Sequence, residues 1–379
     1  MNPESEPDRQ VPKSSPVGKR PLHLLLLSTP VGPIGSGRGG GVELTLRNLL
    51  SEMDHRGHRA DVVAPSGSLL EGANLIQLDG ALQPPFQQFT REDHPPNPEN
   101  SVLTRMLQYA REHQYDYDLI VSFAYDWLPI YLTPSFDIPL LHYISMSSMN
   151  NTMDREIGRL ASSTPGRLAC YSRTQAETFP HSEKFTVLGG GIDLDRYKFH
   201  ESTENKLVWL GRISREKGLE DACEAARQAG SPLKVMGKLE QEDYWEEIRD
   251  SYSKSEVEYL GFLPTEAMQQ QLGPAKALLM TSRWTEAFGL VAVEALACGV
   301  PVISYNHGGP SEIVDDGRTG FLTTPGRIGE LVHAIGRLES IDRQTCRFEA
   351  EKRFSLRSWG DRVEAWLLSA LQPTAPGTR

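Results

Sequence analysis

Two carboxylates and two cations carry the chemistry this sequence could do. Residues 282–301 read SRWTEAFGLVAVEALACGVP, and Glu294 is the one charged residue in the apolar stretch 290–298. A carboxylate on such a helix is costly to bury without partners, and no Lys or Arg lies within a turn of it. Ribose or sugar hydroxyls would satisfy it. Glu286 stands eight residues earlier, on a loop facing the same pocket. Phe288, Gly289 and Leu290 occupy the helix start, where unpaired N–H groups and the dipole favour a phosphate. The cations follow another strand, 206–210, which empties into Gly211, Arg212, Ile213, Ser214, Arg215, Glu216, Lys217 and Gly218 before a helix begins at Leu219. Arg212 and Lys217 thus leave the carboxyl end of a parallel strand, where such sheets place ligands, and suit a departing diphosphate. Each group also has a plainer reading: Glu294 bonded to a neighbouring loop, Glu286 and the two cations solvated.

A scaffold has to bring 212–217 and 286–294 together. Apolar runs at 22–27, 60–64, 119–123, 140–144 and 168–171 predict strands, and 42–53 repeats apolar residues at helical spacing. After TVLGGGIDLDRY (186–197), a strand and glycine-rich hinge, the alternation restarts. Strands are predicted at 206–210, 233–236, 257–259, 277–280 and 302–305, with helices at 219–229 and 290–297. Alternation of this kind is the signature of parallel sheets with crossover helices, here an α/β chain in two doubly wound halves. The expected boundaries are a disordered, proline-rich tail over 1–20, an N-terminal domain over 21–188 and a C-terminal domain over 189–355. A last amphipathic helix, 356–371, is expected to pack back on the first domain. Prolines 84, 85, 95, 96 and 98 predict a long surface loop over 80–100.

The bulk properties fit. A length of 379 residues suits two domains, and 39 basic against 50 acidic residues give a net charge of −11, which argues against a nucleic-acid binder. The four cysteines lie far apart without a C-x-x-C pair, a usage that fits a reducing cytoplasm. No apolar run approaches the roughly 20 residues of a membrane span.

Several strings mislead. Gly35, Gly37 and Gly40 spell G-x-G-x-x-G, but 28–34 separates them from the strand, and 60–64 runs into Pro65 without the acid that would hold a dinucleotide ribose. What remains is a glycine-rich loop entering a helix, able to meet an anion or a polar ligand with its N–H groups. The D-x-D strings Asp116–Asp118 and Asp193–Asp195 have local explanations, and His55 with His58 lacks further ligands, so no metal site is expected.

The pair Glu286 and Glu294, the run from Gly211 to Gly218 and the segment CGVPVISYNHGGPSEIVDDGRTGFL together resemble family 4 retaining glycosyltransferases of the GT-B fold. The resemblance covers most of the chain from residue 21 and is most specific over 206–325. It implies two Rossmann-like domains facing across a cleft, with a nucleotide sugar as co-substrate and no further cofactor. Arg212 and Lys217 would grip the diphosphate, and Glu294 the ribose hydroxyls. Glu286 with the backbone of Phe288 and Gly289 would hold the transferred sugar. Gly261, Phe262 and Leu263 would line the base, and Gly40 and Gly41 would reach over from the other domain. Relatives carry a His after the strand that here ends HYISMSS; that place falls near Ser145, and no catalytic base is assigned. The front-face mechanism of the family lets the departing phosphate take the acceptor proton.

Acceptor choice rests with the N-terminal half. The run from Ser28 to Leu50 resembles a cyanobacterial subgroup that glucosylates tetrahydrobiopterin from UDP-glucose. Tyr125, Asp126 and Trp127 would suit a flat, hydrogen-bonding heterocycle, with aromatic faces to stack and a carboxylate to meet ring N–H groups; alternatively Tyr125 and Trp127 pack the core. A lipid-linked or polysaccharide acceptor would call for an exposed basic patch, for which Arg155, Arg159 and Arg167 are the candidates. A non-catalytic nucleotide-sugar binder would be expected to have lost Glu286 or Lys217.

Overall fold

The computed structural model describes residues 20–36 and 40–372. Seven parallel strands form the first sheet: β1 (His23–Leu27), β2 (Arg59–Pro65), β3 (Asn74–Leu78), β4 (Leu119–Ser122), β5 (Leu140–Ile144), β6 (Leu168–Cys170) and β7 (Thr186–Val187), in the order β3-β2-β1-β4-β5-β6-β7. Six more form the second: β8 (Leu207–Leu210), β9 (Leu233–Met236), β10 (Val257–Tyr259), β11 (Ala277–Met280), β12 (Val302–Tyr305) and β13 (Gly320–Thr323), in the order β10-β9-β8-β11-β12-β13. Central strands such as LLHYI are buried along their whole length because helices cover both faces, which is why they read as unbroken apolar runs. Strand order reverses between β1 and β4, and between β8 and β11. Each reversal sends neighbouring loops to opposite faces and opens a crevice at the carboxyl edge.

The two sheets share one core. The cluster that holds Leu24, Leu46 and Val121 of the first sheet continues through Tyr143 and Tyr171 to Phe288, Phe354 and Trp359. Tyr143 stacks on Tyr171 at 4.7 Å, Tyr171 on Phe288 at 5.7 Å, and Phe354 meets Phe288 edge-on at 6.0 Å. The chain crosses between the sheets here, and side chains hold the crossing's carbonyls. Arg362 Nε donates to Leu188 O at 2.7 Å, the Tyr143 hydroxyl to Gly189 O, and Asn48 Nδ2 to Gly191 O at 2.7 Å.

The final helix, Leu356–Ala370, lies on the helix Gly41–His55 of the first half. Arg56 pairs with Glu52, Asp361 and Glu364, and the Trp366 indole donates to Gly166 O at 2.9 Å. Serving several carboxylates raises the Arg56 pKa although burial opposes it. The segment 80–100 holds a short 3-10 turn, Phe86–Gln88, and Ala81 bridges Ser101 at its far end. The tail reading falls on residues outside those described, except Arg20, whose guanidinium pairs with Asp118 at 2.8 Å. Among the described residues, no helix is long and apolar enough to cross a membrane. All four cysteines are buried and unpaired.

Candidate active site

The loops after β8 and β11 meet, and they bring the cations to the carboxylates. The Lys217 ammonium pairs directly with Glu286 Oε1, which also accepts from Ser282 Oγ at 2.7 Å. Both partners are largely withdrawn from water, with side chains 16% and 13% exposed. Burial works against charge on Glu286, but the Lys217 ammonium, helped by the Trp284 indole and the Ser282 hydroxyl, prevails and holds its carboxyl below the ordinary carboxylate range. Two glycines make the approach possible. A Cβ on Gly218 would strike Thr281 O at 2.3 Å, and one on Gly237 would strike Gly211 O at 1.8 Å.

Arg212 stands beside Lys217. It pairs with Glu240, and with Glu216 at 3.0 Å. Trp284 lies beneath both cations, its ring centroid 4.9 Å from Lys217 Nζ and 5.9 Å from the Arg212 guanidinium carbon. Glu294 sits one turn into the helix Leu290–Ala297 and accepts from the Tyr197 hydroxyl at 2.7 Å. Burial raises its pKa, and the Tyr197 hydrogen bond only partly offsets this. The Gly289 N-cap has φ 101°, a conformation open to glycine, and it turns the chain into that helix.

Phe288 faces away from the cations, its ring held in the shared core between Tyr171 and Phe354. Its neighbours join the domains directly. Ser172 Oγ donates to Ala287 O at 2.8 Å, while Glu312 accepts from Arg173 N at 3.0 Å and from Thr174 N and Oγ1, both at 2.6 Å. A Cβ on Gly41 would come within 3.2 Å of Leu290 Cδ1, so the glycine-rich loop ends against the start of the carboxylate helix.

The sequence and shape identify the class. The glycosyl transferases group 1 family matches residues 193–354, and glycosyltransferase family 4 matches residues 39–196. The chain belongs to the GT-B glycosyltransferases of family 4. It is 25% identical over 379 residues to D-inositol 3-phosphate glycosyltransferase of Nocardia farcinica, covering 86% of this chain and 83% of that one. It is 27% identical over 244 residues to glycogen synthase of Mycobacterium tuberculosis, and that match spans 57% of this chain and only 59% of the relative. The solved structure of Anabaena HepE in complex with UDP and glucose superposes with a TM-score of 0.72 at 22% identity, over 92% of this chain and all of that one, a likeness of fold.

Other expected residues of this glycosyltransferase lie as follows. Gly261, Phe262 and Leu263 follow β10 at the sheet edge, with Phe262 76% exposed and Gly261 O accepting from Gly237 N at 3.0 Å. Gly40 caps the first helix at φ 55°, and Gly37 lies outside the described residues. In the loop before that helix, Glu43 accepts from Gly35 N at 2.7 Å, so a carboxylate of the chain itself already meets one of the N–H groups expected to face an anion.

The expected acceptor residues part company in the structure. Tyr125 is 6% exposed, packed edge-on against Phe86 with its hydroxyl on Ser147 O at 3.1 Å. Asp126, 3% exposed, caps a helix through Leu128 N at 2.9 Å, and burial lifts its pKa to about 6. Both are bound into the domain, because the chain must turn sharply between β4 and that helix. Trp127 differs: it lines a cavity of about 310 Å³ with His94, Pro95, Tyr131, Thr152 and Arg155. Ser145 is half-buried after β5. His142 is buried, with Nε2 2.7 Å from Thr133 Oγ1, and burial lowers its pKa to about 3. Of the candidate basic patch, Arg155 and Arg159 share one carboxylate, Glu156. Trp284, Tyr197 and Ser282 escaped notice in the sequence, although the tripeptide SRW held a signal: an aromatic two residues before an acid.

Proposed function

We propose that the chain is a retaining hexosyltransferase that moves glucose from UDP-glucose to a small-molecule acceptor, needing no cofactor besides the nucleotide sugar. The observation that carries this reading is the direct pair of Lys217 and Glu286, with Arg212 over the same Trp284 ring, in the loops after β8 and β11. Strand order sets them in a row. The exposed Phe262 stands after β10, the cations after β8 and Glu286 after β11, an order that suits base, diphosphate and sugar of one donor.

On donor binding, the diphosphate takes the place of carboxylates as partner of the cations. Arg212 turns from Glu240 and Glu216, and Lys217 from Glu286, which is then free to accept from a sugar hydroxyl. The bond from the anomeric carbon to phosphate breaks through an oxocarbenium-like state while the cations stabilise the developing charge. The acceptor oxygen bonds to that carbon from the same face, and its proton passes to the departing phosphate. No side-chain base is needed, and the buried, neutral His142 supplies none.

The acceptor implied by the loop 28–50 is tetrahydrobiopterin, and the Trp127 cavity offers a flat ring a stacking surface. Four buried free thiols suit the cytoplasm, where we place the protein. The test is mass spectrometry of UDP-glucose with tetrahydrobiopterin, for wild type and Glu286→Ala. A glucosyl-pterin formed by wild type alone is expected. UDP release without that product would overturn the acceptor assignment, and neither UDP release nor product would overturn the donor as well.

A further inference from the structure

Trp284 lies under two cations, and its indole nitrogen is unusual. Nε1 is buried and lies close enough to Glu286 to help hold that carboxylate ionised, yet among the described residues it makes no hydrogen bond of good geometry. A buried N–H so poorly paired is costly, and in a folded protein it calls for an explanation. Here it stands beside an ionised carboxylate, so the site presents one donor and one acceptor side by side. A hydroxyl is the group that satisfies both, since its hydrogen donates while a lone pair accepts. The Lys217 ammonium leaves Glu286 when a diphosphate arrives, which vacates the carboxylate for that hydroxyl.

We propose that Trp284 is a second sugar-binding residue of the donor site, whose N–H donates to the same sugar hydroxyl that donates to Glu286. The inference rests on the donor reading above and deepens it. Trp284 then acts in two separable ways. Its ring face steadies Arg212 and Lys217 for the diphosphate, and its N–H reads the sugar. Phenylalanine keeps the first and loses the second; leucine loses both.

Calorimetric titration of UDP and of UDP-glucose into wild type, Trp284→Phe and Trp284→Leu separates these roles, with thermal unfolding to verify that each variant folds. Trp284→Phe is expected to bind UDP within twofold of wild type and UDP-glucose about tenfold more weakly, the loss of one hydrogen bond to a charge-flanked hydroxyl. Trp284→Leu is expected to weaken both ligands. Equal weakening of UDP and UDP-glucose in Trp284→Phe would overturn the hydroxyl contact, as would wild-type affinity for both. Failure of wild type itself to bind UDP would overturn the donor reading and this inference with it.

Discussion

Gly190 lies flat against the ring of Phe288: a Cβ at Gly190 would stand 2.6 Å from Phe288 Cε1. Gly191 has the same relation to Trp359, at 2.7 Å from its Cβ. These glycines are in the crossing because aromatic rings occupy the space of a side chain, and one of the rings belongs to the residue that leads into the carboxylate helix. Gly190→Ala is therefore expected to cost about 1–3 kcal/mol of stability and to weaken UDP-glucose binding as Phe288 shifts. Gly336→Ala, with nothing within 4 Å, should change neither. Thermal unfolding and calorimetry on the two variants check this.

Removing Lys217 leaves Glu286 with burial largely unopposed. In the wild type the carboxyl lies below its ordinary value of 4.5, so its ion pair stabilises above that pH and is lost as pH falls through the lowered pKa. In Lys217→Ala the pKa moves above the ordinary value. The variant is expected to lose about 3 kcal/mol at pH 7, and its deficit should narrow as pH falls through the raised pKa and the carboxyl takes up a proton. Denaturant unfolding of both proteins at pH 7 and pH 4 measures the difference.

Tyr197→Phe should make nucleotide binding more sensitive to acid. Burial already raises the Glu294 pKa, and the Tyr197 hydrogen bond restrains that rise. Ribose hydroxyls need the ionised carboxylate, so affinity falls as pH drops through its pKa. Without the phenol that pKa is higher, and the midpoint of a UDP binding curve against pH should move upward relative to wild type.

Glu312 bridges the cleft by accepting from Arg173 N, Thr174 N and Thr174 Oγ1. Glu312→Ala is expected to enlarge the radius of gyration seen by small-angle scattering and to lower kcat, with UDP affinity within about twofold, since its carboxylate serves residues 173 and 174 and not the two cations. An unchanged radius and rate would show that the shared aromatic core alone holds the halves together.

The central elements were legible because burial on both faces writes itself into the sequence. LLHYI at 140–144, ALLM at 277–280 and LVAVEALA at 290–297 coincide with the expected bounds. The edge strand β3, NLIQL, was not, since a half-exposed strand alternates weakly and its Asn and Gln read as loop. Glu294 stood out as one charge in an apolar helix, and the direct Lys217–Glu286 pair joins two segments about seventy residues apart, a contact that spacing does not encode. Tyr125 and Trp127 show the opposite limit. Two aromatics flanking an acid look alike in sequence, yet only the turn after β4 decides that one packs inward while the other lines a cavity.

The donor site is tested most directly by titrating UDP into wild type, Glu294→Ala and Lys217→Ala, with the distant Arg318→Ala as control. One-to-one binding by wild type and the control is expected, with affinity at least about tenfold lower in the two site variants, each of which removes a charge-assisted contact. Equal affinity across all four proteins would mean that these residues hold no nucleotide.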